Sequence, residues 1–382
     1  MKIGTGQSAR TVGFGASPYV IAEIGVNHDG AVDRAVQLVD AAADAGADAV
    51  KLQLFKAEML MSRASRLAVY QEGAGETDPL AMLRRLELPE HGFAAVIERC
   101  RVRGVHAIVT VFSVELVEVA ERLSKPHGGW DAYKTASPDI IHRPLLDALQ
   151  HTGRSLIVST GAATLDEVQR TVEWLAPAHN AGKLAVLQCV SSYPTPREKA
   201  ALGGIAAIQQ VFGGPVGYSD HTADRFTGAS AVAMGACILE KHLTYDTKAQ
   251  GPDHAASLDP AEFAVYVAAA HNDWSRAESH IDYDAFSAEV RTATDRRLLS
   301  IDHPIGKALL PIEQDVRNVS RQSIVAARSI VAGETITRDM LTFKRPGTGI
   351  EPFRLAEVVG RRASTNIAAD TPLTPSELAP AV

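Results

Sequence analysis

"YVIAEIGVNHDGAVDRAVQLVDAAADAGADAVKLQ", Tyr19–Gln53, changes texture twice. It opens on a short β-branched run and passes through a Gly- and Asn-containing turn. Val32, Val36 and Val39 then fall on one helical stripe that stops at Gly46, and a second β-branched run closes the stretch. Strand, helix and strand in that order form a βαβ unit with parallel strands. The same alternation continues through "VHAIVTVF", "DAYKTA", "SLIVST", "LAVLQC", "PVGYSD" and "CILEKH", which brings the strands to eight. Between them "PEHGFAAVIERCRVRG" carries Phe93, Val96, Ile97 and Cys100 on one face and ends at Gly104. "TLDEVQRTVEWL" opens with a capping box, Thr164 with Glu167, and carries Val168, Val172 and Leu175. Eight β/α units favour a closed barrel over an open sheet, a (β/α)8 TIM barrel in the α/β class. No GxGxxG follows the first strand, which argues against a dinucleotide-binding fold.

The chain of 382 residues, 46% of them hydrophobic, supports a large core and two domains. Residues 1–274 are expected to be the barrel, with 1–18 as a cap or hairpin at its base and 57–88 as an active-site lid, being long for a βα connection. Residues 275–320 turn charged and irregular and are expected to be a linker with some helix. Residues 321–382 read as short strands and tight turns, a small all-β module. No apolar run approaches a membrane span and no signal-peptide pattern opens the chain. Cys100, Cys189 and Cys237, odd in number and in apolar contexts, point to reduced thiols and a cytoplasmic location. A net charge of −7 disfavours nucleic acid or an anionic membrane as partner, so an anionic substrate has to be met by local cations.

In such a barrel chemistry sits at the carboxyl ends of the strands. Those ends carry Glu23, Asn27 and His28; Lys51 and Gln53; Thr110 and Ser113; Lys134, Ser137 and Asp139; Ser191, Ser192 and Tyr193; Ser219, Asp220 and His221; and Glu240, Lys241 and His242. Two lysines inside one barrel repel each other and resist burial unless an anion lies between them. Lys51 and Lys134 therefore predict a compact phosphate or carboxylate ligand, aided by Ser137 and Ser219; the alternative is that each pairs with a neighbouring carboxylate for stability. His221 and His242 end adjacent strands and suit a divalent metal with open positions, with Asp220 and Glu240 as orienting partners. The alternative is a pair of satisfied core histidines. Asp253 in "GPDH" reads as acid/base or hydroxyl-binding, or as part of a turn.

At these residues the chain resembles the sialic acid (nonulosonic acid) synthase family. The motifs "IAEIGVNHDG", "KLQ", "YKTASPD", "LQCVSSYPTP", "GYSDHT", "ILEKH" followed by "GPDH", and "KRPGTGI" occur in the family's order over nearly the whole chain. The tail resembles the family's antifreeze-like (SAF, β-clip) domain. The resemblance implies condensation of phosphoenolpyruvate with an N-acetylated amino-sugar aldehyde, N-acetylmannosamine or a related deoxy-sugar, by C–O cleavage. It makes Glu23, Lys51, Lys134 and Asp253 catalytic. Lys51, Thr110, Lys134, Ser137, Ser191 and Ser219 become phosphoenolpyruvate contacts, and Glu23, Gln53, Asp139, Tyr193, Asp253 and Arg345 the sugar site. His221 and His242 become ligands of a divalent ion, Mn2+ foremost with Mg2+ or Co2+ as alternatives, and Arg345 crosses to the partner of a domain-swapped homodimer. Asp139 stands where bacterial members often have Glu, Ser191 where they often have Asn, and Val111 replaces a proline. Competing readings are a synthase of the octulosonate or heptulosonate type, which lacks the "RPGTGI" module, and a non-catalytic carbohydrate-binding protein.

Overall fold

The computed structural model describes residues 1–278 and 306–380. Eight strands close into a parallel barrel: Tyr19–Glu23 (β1), Ala49–Leu54 (β2), His106–Val111 (β3), Ala132–Thr135 (β4), Ser155–Ser159 (β5), Leu184–Cys189 (β6), Val216–Asp220 (β7) and Ile238–His242 (β8). β8 pairs back onto β1. Helices cover the outside, among them Val32–Asp44 (α1), Glu90–Arg103 (α2), Leu165–Trp174 (α3) and Pro260–Glu278 (α4). Gly104 ends α2 in the left-handed region, where a residue without Cβ is unstrained, and the Thr164–Glu167 capping box opens α3. The buried stripe of α1 is Ala35, Leu38, Val39 and Ala42; of the expected valines Val39 is fully buried and Val32 and Val36 only partly, and the small alanines let the helix lie close to the sheet.

Each strand has a period of two, and both faces are buried. Outward residues such as Val20, Ala22, Val50, Leu52, Val109 and Tyr133 pack under the helices. Inward residues at the base, Tyr19, Ile21, Ala49, Ile108, Ala132, Ile157, Ala185 and Ile238, fill the barrel, and Ile3 and Val12 plug its lower end. Ile3 lies in, and Val12 directly follows, an antiparallel pair, Lys2–Ile3 with Arg10–Thr11, the hairpin expected of the first residues.

Residues 57–88 form three short helices, Ala57–Leu60, Val69–Gly73 and Pro79–Leu86; the apolar faces of the first and third meet Val26, Phe55 and Phe112, while the second buries no residue in that cluster. From 306 the chain runs over the barrel mouth as Pro311–Glu313 and the helix Gln314–Ser320 (α5). The rest of the expected linker, 279–305, lies outside the described residues. Ser323–Ala326 (β9) and Leu341–Lys344 (β10) pair antiparallel in a small C-terminal unit built on Ile324, Ile336, Phe343, Ile350 and Leu373. Among the described residues no helix is long and apolar enough to cross a membrane.

Candidate active site

The period of two that makes the barrel's apolar interior also sets its polar mouth. Following Ile21, Ala49, Ile108, Ala132 and Ile238 upward by two residues reaches Glu23, Lys51, Thr110, Lys134 and Glu240. Register brings them together: Glu23 lies opposite both Lys51 and His242, Thr110 opposite Lys134, and Ser219 opposite Glu240. They line a cavity of about 900 Å³, counting its open mouth. Every residue to which the family resemblance assigned a role lines it except Asp139; of the other strand-end candidates Glu240 does, while Asn27, His28, Ser113, Ser192, Asp220 and Lys241 do not.

Lys51 Nζ donates to Thr110 Oγ1 at 3.0 Å, pairs with Glu23, and lies 3.7 Å from Glu240 Oε2. Lys134 Nζ and Ser219 Oγ both donate to Glu240 Oε1, at 3.1 and 2.9 Å. A carboxylate thus stands between the two lysines where an anion was expected, so the stabilising alternative is part of the answer. Burial and the neighbouring Glu240 push Glu23 up against the pull of Lys51, so it holds a proton far more readily than an ordinary carboxylate. Burial acts in the same sense on Glu240, but Lys134 and Lys51 overcome it and hold that group ionised. The lysine cluster therefore contains one anchored carboxylate and one that exchanges its proton readily.

Beside this cluster the hydroxyls of Ser137, Ser159 and Ser191 converge. Gly161 N–H donates to Ser137 Oγ at 2.9 Å, and a Cβ added at Gly161 would lie 2.2 Å from Ser191 Oγ and 2.8 Å from Ser137 Oγ. Ser159 Oγ, Ser191 Oγ, His242 Nδ1 and Arg345 Nε are buried with no hydrogen-bond partner. Orphaned polar atoms gathered around one cavity are what a polar ligand satisfies.

The imidazoles of His221 and His242 lie 5.6 Å apart, centroid to centroid. His221 Nδ1 is 2.8 Å from the Val190 carbonyl, which only accepts, so Nδ1–H donates and Nε2 is the nitrogen left for a ligand. Against burial, Cys189, the Val190 carbonyl and Glu240 raise the ring's proton affinity, so an ion binding at Nε2 displaces a proton. Burial and the neighbouring His221 hold His242 well below the ordinary histidine range, hence neutral. Its orphaned Nδ1 lies 3.8 Å from Asp253 Oδ2. Among the described residues no group of three or more His, Cys, Asp or Glu surrounds a common point. Two imidazoles, His242 neutral and His221 once Nε2 gives up its proton, fit an ion that keeps open positions for water and substrate, not a closed structural site. The expected orienting partners do not serve. Asp220 points outward, as its odd position in β7 requires, and faces Lys241 at 3.4 Å and Thr222; Glu240 is held by the lysines.

The upper wall is apolar and aromatic. Tyr193 stacks on Tyr70 of the 57–88 segment at 4.9 Å and packs against His221 at 4.1 Å. Gln53 Nε2 donates to the Gly25 carbonyl. Arg345, just after β10, lies over Phe112 at 5.7 Å; its backbone N–H donates to the Leu60 carbonyl, and its own carbonyl accepts from Ser62 and Ser65. These contacts lie within one chain. Asp139 stands behind the wall, bonded by Gln322 Nε2 at 3.1 Å, because the chain leaves strand geometry after Thr135 for a 3-10 turn over Ser137–Ile141. Asn27 and His28 bond backbone and side-chain groups at the rim: Asn27 reaches the Leu243 carbonyl and Ser257, and His28 accepts from Gly30 N–H. Sequence reasoning passed over Tyr70, Gly161 and Glu313. Of these only Gly161 carried a signal, as a glycine at a strand end.

The NeuB family model matches residues 38–281, and the SAF domain model matches 321–379. N,N'-diacetyllegionaminic acid synthase of Legionella pneumophila subsp. pneumophila is 33% identical over 360 residues, 93% of each chain. The solved spore coat polysaccharide biosynthesis protein spsE of Bacillus subtilis aligns over 100% of both chains at 27% identity and TM-score 0.80. N-acetylneuraminic acid (sialic acid) synthetase of Leptospira borgpetersenii serovar Hardjo-bovis, solved with citrate, aligns over 77% of this chain and 97% of its own. Its identity is 29% and its TM-score 0.63.

Proposed function

The chain belongs to the NeuB family, whose named members are sialic and legionaminic acid synthases, and from that premise we propose that it condenses phosphoenolpyruvate with the open-chain aldehyde of an N-acetylated amino sugar. The acceptor is N-acetylmannosamine or a diacetylated deoxy-sugar, and the products are a nine-carbon 2-keto-3-deoxy acid and phosphate. One observation carries this reading: two buried lysines and a set of serine hydroxyls face two imidazoles across a single cavity.

Lys51, Thr110 and Lys134 hold the carboxylate and phosphate of the enol phosphate, with Ser137, Ser191 and Ser219 supplying hydroxyl donors. Substrate anions compete with Glu240 and Glu23 for the same ammonium groups, and anchoring the enol phosphate at both its anionic ends serves to orient C3 toward the aldehyde carbon. The new C–C bond forms from C3, water adds to C2, and the C2–O bond breaks with phosphate leaving. Glu23 moves the proton at the new hydroxyl or at the attacking water, the role its raised proton affinity suits. Gln53, Tyr193, Asp253 and Arg345 bind the sugar. His221 and His242 are the residues that would hold a divalent ion, Mn2+ ahead of Mg2+ or Co2+, and the chemistry it supplies when bound is polarisation of the aldehyde oxygen.

We further place the enzyme in the cytoplasm, on its three buried free thiols. We also propose that it forms a homodimer in which the Arg345 contact is exchanged between two copies. A light-scattering mass of two chains is expected, and a single-chain mass contradicts that arrangement. Phosphoenolpyruvate labelled with 18O at the bridging oxygen tests the reaction itself. The label is expected in the released phosphate; label retained in the sugar acid, or no product with any of these acceptors, overturns the proposal.

A further inference from the structure

Glu313 belongs to the segment that precedes the C-terminal unit, not to the barrel, yet it is fully buried in the barrel mouth. Its Oε1 accepts from the backbone N–H groups of Ala162, at 2.6 Å, and Ser191, at 2.8 Å, and its Oε2 accepts from Leu310 N–H at 2.9 Å. Both barrel partners are loop residues of the hydroxyl cradle. Ala162 follows Gly161, whose N–H holds Ser137 Oγ, and Ser191 carries the orphaned Oγ itself. The other face of Ala162 is held from the same segment: its carbonyl accepts from Arg317 at 2.6 Å and Arg321 at 3.2 Å, and both arginines also clamp Glu167. Ala162 has φ of 53°, a left-handed conformation that costs an alanine about 1 kcal/mol and persists only where the surroundings impose it.

We propose that Glu313 is a positioning residue for the anion site: it fixes the loops after β5 and β6 so that the Ser137 and Ser191 hydroxyls meet the phosphate of phosphoenolpyruvate. This rests on the function proposed above and adds that the segment leading to the C-terminal unit organises the hydroxyl cradle of the site. A carboxylate taking three N–H bonds without touching the ligand works through geometry, so its removal weakens anion binding while leaving the acceptor side in place.

Calorimetric titration of phosphoenolpyruvate and of inorganic phosphate into the full-length wild type, Glu313→Ala and Glu313→Gln, together with KM for both substrates, tests this. Glu313→Ala is expected to raise Kd and KM for phosphoenolpyruvate about tenfold, the loss of one charge-assisted bond. Acceptor KM should stay within about twofold. Glu313→Gln, which keeps the shape and the Oε1 acceptor, is expected to fall between Ala and wild type, and it carries the test if Glu313→Ala is not recovered folded. Unchanged phosphoenolpyruvate affinity in a folded variant, or equal losses for both substrates, overturns the inference. A wild type that binds neither anion overturns instead the proposed function.

Discussion

Asp139 has one carboxylate oxygen bonded to Gln322 and the other bonded to nothing, in a site closed to water. Burial pushes its pKa up to about 7 despite Arg345, Gln322 and Lys134 nearby. The folded state therefore holds this proton more tightly than the unfolded chain, in which Asp titrates near 4. The resulting stability is complete below about pH 4 and is lost as pH rises through 7, by up to about 1.4 kcal/mol per unit. Asp139→Asn removes the titration. Denaturant unfolding at pH 5 and pH 8 is expected to show the wild type losing stability relative to the variant as pH rises; parallel behaviour contradicts the assignment. In the Lys51–Glu23–Glu240–Lys134 cluster Glu23 shares that upward shift, but lysines hold Glu240 ionised. Each charge there has a partner, and removing one leaves another buried without compensation.

Strands and loops divide the work of building the site. The eight strands were legible in the sequence as β-branched runs; alternation along β1, β2, β4, β7 and β8, seen in the structure, puts Glu23, Lys51, Lys134, Ser219 and Glu240 inside. The same alternation sends Asp220 and Lys241 outward to each other, so neither can support a metal ligand from within. Which carboxylate meets which lysine was not legible, because it depends on how neighbouring strands are staggered around the barrel. Nor was Asp139, since period two ends with the strand. The loop after β5 offers a direct test. In Gly161→Ala the new Cβ meets Ser191 Oγ and Ser137 Oγ, tips of side chains that rotate cheaply, whereas at Gly217 it would meet the Ile238 backbone carbonyl at 2.4 Å. Gly161→Ala is therefore expected to melt near the wild type while KM for phosphoenolpyruvate rises on the order of tenfold. A thermal melt with unchanged KM counts against the cradle.

At the scale of the molecule, one mouth is closed from three directions. The barrel supplies the charges, residues 57–88 supply Tyr70 and an apolar wall, and the C-terminal unit supplies Arg345, whose neighbour Phe343 packs on His142 at 4.7 Å. The two-part architecture could be read from the change of texture near residue 321. The burial of Glu313 and Arg321 could not, because a short charged stretch without periodicity looks the same whether it faces solvent or a cavity. The central claim is that Lys51 and its neighbours grip an enol phosphate beside an aldehyde. Initial rates of phosphate release from phosphoenolpyruvate, with and without N-acetylmannosamine or a diacetylated acceptor, test it in wild type and in folded Lys51→Met. The account predicts acceptor-dependent release that falls about 10²–10³-fold in the variant. Release at the wild-type rate from Lys51→Met would contradict it.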